Sequence, residues 1–80
     1  MNRREILRSA KHQRENEVLE YQINIDNFRM AIDVARHDPD LTDFVEQLEG
    51  LLRSNILEQK KSKVMLHVIR QQLHEMESVG

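Results

Sequence analysis

Apolar residues return at alternating three- and four-residue steps over most of this chain, the spacing of one helix laid along another. In the first half Val18, Tyr21, Ile25, Phe28, Ile32 and Ala35 keep that step. In the second half Val45, Leu48, Leu52, then Leu66, Ile69, Leu73 and Met76 hold a single register. The same register passes through Asn55, Gln59 and Ser62, so this second stripe is apolar at both ends and polar in the middle.

The stripes are separated by His37-Asp38-Pro39-Asp40, the one strong break in the chain. Proline holds its preceding residue out of the helical region and suits a first helical turn. Either Asp38 caps a helix opening at Pro39, or Asp40 caps one opening at Leu41. Asp40, Asp43 and Glu46 then favour the positive end of that helix dipole. The pattern predicts helix one over about residues 3–37, a turn at 38–40 and helix two over about 41–78, within a single helical domain 1–80. Each helix is about 50 Å long at 1.5 Å rise per residue. So short a connection makes them antiparallel neighbours, a helical hairpin. Gly50 lies off the stripe and costs only about 1 kcal/mol within a helix. The alternative is a break at Gly50, with Ser54 capping a third helix in a three-helix bundle.

Each helix also carries a second apolar stripe. At about 100° per residue, Leu19, Ile23, Met30 and Val34 lie roughly opposite the first stripe of helix one. Leu57, Val64 and Val68 stand well away from Leu52 and Leu66 on helix two. The run Val64-Met65-Leu66-His67-Val68-Ile69 is apolar almost all round, the mark of a buried segment. Met30, Met65 and Met76 fit a packing role better than an adaptable groove. Two helices cannot cover both faces of each other. Leaving such side chains in water forfeits about 1.5–3 kcal/mol each. The expected cover is a second copy, since two-fold dimers are the commonest oligomers, and two hairpins make a four-helix bundle. Leu19, Ile23, Met30, Val34, Leu57, Val64 and Val68 are therefore the candidate interface, for self-association or for another protein.

Length and composition narrow the picture. Eighty residues without cysteine exclude disulfides and thiolate metal sites. Chains of this size usually need a staple or a partner for comfortable stability. No apolar run approaches the roughly 20 residues of a membrane span, so the chain is expected in the cytoplasm, away from membranes. Net charge is −2, which gives no global pull toward nucleic acid. The charge is nevertheless sorted. Residues 20–55 hold eight acidic groups against Arg29, Arg36 and Arg53, a net of −5, and the remainder nets +3. Placed at one end of a hairpin, Arg3, Arg4, Arg8, Lys11, Arg14, Lys60, Lys61 and Lys63 form a candidate phosphate-contacting surface. The competing reading is a solvated face with intrahelical ion pairs. Tyr21 is the only tyrosine and sits in the stripe, so no stacking platform accompanies these charges.

The polar middle, Arg14, Glu17, Asn55, Gln59 and Ser62, converges if the hairpin forms. A buried polar layer of this kind fixes register or oligomeric state; alternatively the helices splay there and the groups are wet. His12, His67 and His74 are the conceivable zinc ligands, but no HExxH or other clustered spacing supports a metal. His67 reads instead as a semi-buried packing residue, with His12, His37 and His74 at the surface. No nucleophile–base–orienter set and no glycine-rich phosphate loop can be written. The expectation is a non-enzymatic protein with no cofactor and no small-molecule substrate.

A long helix, a short acidic turn and a second long helix, paired into a four-helix bundle, resemble the Rop-type plasmid RNA-binding hairpins. The small/large heptad layers of those proteins do not recur, so no binding residue carries over. Size and layout are also similar to small helical accessory proteins encoded by phages and prophages. The sequence thus leads to a dimeric helical regulator or adaptor that binds another macromolecule, a protein first, with nucleic-acid binding by the basic half as the alternative.

Overall fold

The computed structural model describes residues 2–79, and over that range the chain is two long helices. Helix α1 spans Arg3–Ala35 and α2 spans Thr42–Val79, with a single 3-10 turn, Pro39–Leu41, between them. No strand occurs among the described residues. The fold is an all-α helical hairpin.

Local chemistry sets the ends. Asn2 is the N-cap of α1, its side-chain oxygen accepting from the Glu5 N–H at 2.9 Å. At the other end the Arg36 N–H donates to Ile32 O and the Asp38 N–H to Ala35 O. Pro39 cannot continue that ladder, having no N–H. Asp38 takes the cap of the 3-10 turn, accepting from the Asp40 N–H at 2.9 Å. The Thr42 hydroxyl donates to Pro39 O at 3.1 Å and ties the turn to α2. No described residue has positive φ, so the chain reverses without a left-handed residue.

Helix α2 runs unbroken through Gly50, which corrects the three-helix alternative. The residues on either side keep the seam in register, and one glycine costs less than that burial returns. The seam itself is buried where the spacing puts it, at Ile25, Ile32 and Ala35 on α1 and Leu48, Leu66, Ile69 and Leu73 on α2. Val18, Tyr21, Phe28, Val45, Leu52 and Met76 are half-buried.

The resulting rod measures 61 × 17 × 15 Å, with a radius of gyration of 18.0 Å. A compact chain of this length has about 12 Å. Its accessible surface is 6143 Å², whereas about 5,100 Å² is typical for a compact chain of this mass. None of the described side chains is more than 98% buried. Two helices form one layer of contact, and every side chain in it lies near an edge. No described helix is long and apolar enough to cross a membrane.

Candidate interaction surfaces

The polar middle of the seam is closed and fully bonded. Gln59 and Ser62 are only 6% and 5% exposed. The Gln59 amide donates both to Val18 O and to Gln22 Oε1, each at 3.0 Å. One oxygen of Glu17, Oε2, accepts from Arg14 Nη1 at 3.0 Å and from the Ser62 hydroxyl at 3.1 Å. Asn55 accepts from Asn24 Nδ2 at 3.3 Å and donates to Leu51 O at 2.8 Å. Of the five, Arg14, Glu17 and Ser62 form one bonded set, whereas Gln59 and Asn55 reach other groups of α1, and the helices do not splay at Gln59 and Ser62. Among the described residues no buried side-chain nitrogen or oxygen lacks a hydrogen-bond partner. Such a layer holds the helices at one offset, because sliding by a turn would strand these groups without partners.

Outside the seam, twelve large apolar side chains are exposed, against seven buried apolar residues within it. All seven candidate interface residues are among the twelve, from 41% exposed at Val68 to 76% at Val34. They do not share one surface. Because the seam repeats every seven residues, residues seven apart keep a constant place relative to it. Ile23 and Met30 lie on the outer face of α1, and Leu57 and Val64 on that of α2. Leu19 projects toward the flank that carries the Arg70–Glu15 ion pair, at 3.5 Å. Val34 belongs to the opposite flank, where it lines a shallow hollow with Met30, Ala31, Leu41 and Phe44. Leu51 and Met65 stand at seven-residue multiples from Phe44, and Val68 lies one turn beyond Met65.

Ile6, Leu41, Phe44, Leu51 and Met65 complete the exposed apolar set and were not expected in it. The signal lay in the sequence. Phe44, Leu51 and Met65 each precede a seam residue, Val45, Leu52 and Leu66, and so broaden the stripe to one side. Three expectations need correction here. The run from Val64 to Ile69 buries only Leu66 and Ile69, since a single neighbour covers a single face. Met30 and Met65 are likewise exposed rather than packed, and His67 is exposed rather than semi-buried.

The basic residues are spread around the terminal end and laced with acceptors. Arg3 donates to Gln72 Oε1 at 3.0 Å and Arg4 to Met76 O at 3.5 Å. Arg14 is committed to Glu17, and Lys61 pairs with Glu58 at 3.0 Å. Arg8 and Lys11 line a shallow hollow with Arg70, Leu73, His74 and Glu77. Lys60 and Lys63 are exposed. Arg14 does lie beside the Lys60–Lys63 stretch, through the oxygen that its guanidinium shares with Ser62. His12, His67 and His74 are exposed, and among the described residues no three His, Cys, Asp or Glu side chains gather to hold a metal ion. Comparison with protein-family models, curated proteins and solved structures finds no match to this chain.

Proposed function

We propose that this chain is a non-enzymatic helical interaction module that dimerises, two hairpins forming a four-helix bundle, and in that form binds another protein. One observation carries the reading: twelve large apolar side chains are exposed, twice the six that the seam buries. The rod exposes about 1,000 Å² more than a compact chain of its mass, and each partner in a stable interface gives up about 800 Å². The surplus matches the need. Apolar residues left on the outer faces after dimerisation, Ile23 and Met30 on α1 and Leu57 and Val64 on α2, suit the apolar stripe of a partner helix. The non-enzymatic part rests on the deepest polar groups being spent on holding the helices together.

Sedimentation equilibrium across micromolar concentrations tests the first step. A dimer mass is expected, and a monomer at every concentration would remove the bundle. Nucleic-acid binding by the terminal half is the second reading, supported by the exposed Arg8, Lys60 and Lys63. It requires an affinity for duplex DNA or structured RNA that falls steeply with salt. It also requires that Arg3, Arg4, Arg8 and Lys60 together replaced by Glu abolish that affinity.

A further inference from the structure

Resting on the self-association above, we propose that two copies meet through the apolar flank and lie head to tail, the loop end of each rod covering the terminal end of the other. The two flanks differ in kind. One carries Ile6, Val34, Phe44, Leu51, Met65 and Val68, all exposed. The opposite one carries the Arg70–Glu15 pair, with Glu49 and Lys63 at the same place along α2. A flank spans both helices, so a partner there buries side chains of α1 and α2 together. An outer face offers only one helix.

The apolar flank is also complementary to itself. Along the rod it is apolar at the loop end (Val34, Phe44, Leu51) and apolar at the terminal end (Ile6, Met65, Val68). Between them lies a polar waist with the Glu58–Lys61 pair. A two-fold axis through that waist lays apolar on apolar and brings Lys61 of one copy beside Glu58 of the other, which is what a second copy needs and an unrelated partner would not supply. Charge at the two ends sets the direction. Asp38 lines the loop-end hollow with Val34 and Phe44. Arg3 and Arg4 line a hollow at the terminal end with Glu75 and Gln72, so two guanidiniums stand there against one carboxylate; Gln72 is at a seven-residue multiple from Phe44. Head to tail, Arg3 of each copy faces Asp38 of the other and Val34 faces Ile6. With the loops together, Asp38 and Asp40 would face their own copies, and so would Arg3 and Arg4.

The chain has no cysteine, so single labelling sites are clean. Donor-labelled Asp40→Cys mixed with acceptor-labelled Glu77→Cys is expected to give strong energy transfer. Donor- and acceptor-labelled Asp40→Cys together should give weak transfer, since the rod is 61 Å long. The reverse pattern, or equal transfer in both mixtures, overturns the head-to-tail arrangement. Phe44→Glu with Met65→Glu is expected to raise the dimer dissociation constant at least tenfold with helicity unchanged. Glu49→Ala with Lys63→Ala should change it less than twofold. A smaller effect of the first pair, or an equal effect of the second, overturns the choice of flank. A monomeric wild-type chain would instead overturn the self-association on which the inference rests.

Discussion

The side-chain amide of Gln59 crosses the hairpin and donates to the main-chain carbonyl of Val18 at 3.0 Å. A side chain of α2 thereby holds the backbone of α1, at a point where the seam carries no large apolar pair. The bond defines how far one helix is slid along the other. With Ser62 on Glu17 it makes the polar layer an alignment device between two apolar ends.

That device is expected to cost stability. Gln59→Leu removes the amide altogether, while Val18 O keeps its helical bond and Gln22, half-buried, can turn to water. Its urea midpoint should rise at fixed protein concentration. Gln59→Ala leaves a gap in the seam and should lose about 1–2 kcal/mol. A leucine variant less stable than the unsubstituted chain would show that the amide's bonds outweigh its desolvation.

Gly50 is a glycine without a steric reason. A Cβ built there meets nothing within 4 Å, and its backbone is helical. Gly50→Ala is expected to stabilise the chain by about 1 kcal/mol, read as a higher urea midpoint with unchanged slope. A loss of stability would mean that the residue does more than continue the helix.

At the turn, Asp38 supplies the acceptor that the Asp40 N–H would otherwise lack. Asp38→Ala should cost about 1 kcal/mol, and Asp38→Asn, which can still accept, only a few tenths. Equal losses from both, in thermal or urea unfolding, would point to the charge rather than the cap.

The Glu17 carboxylate serves two partners, Arg14 on its own helix and Ser62 across the seam. Its side chain is 31% exposed, so water screens the ion pair. A double-mutant cycle should assign about 0.3–0.5 kcal/mol to Arg14–Glu17. A coupling several times larger than that would contradict the screening.

Self-association predicts that the thermal midpoint rises with protein concentration, because only the folded chain binds its copy. A midpoint constant over a hundredfold range, followed by circular dichroism, is the outcome that a lone hairpin would give.

The sequence by itself determined the helices, their reversal and the seam, because each follows from neighbours a few residues apart. Three- and four-residue spacing marks the buried stripe, and Pro39 with Asp38 places the turn. Even the polar interruption at Asn55, Gln59 and Ser62 was legible, although which groups would meet was not. Leu19 and Val34 show where local pattern stops. Both lie off the seam of α1, and angle around a single helix grouped them as one interface. The seven-residue repeat already sets them on opposite sides of that seam, but only the tertiary structure decided that Val34 shares its side with Phe44 and Leu19 its side with the Arg70–Glu15 pair. The physical reason is that a helix's periodicity measures where a residue stands relative to its own contact stripe. Which residues of the other helix stand beside it depends on the direction and offset of that helix, and those exist only once the two are packed.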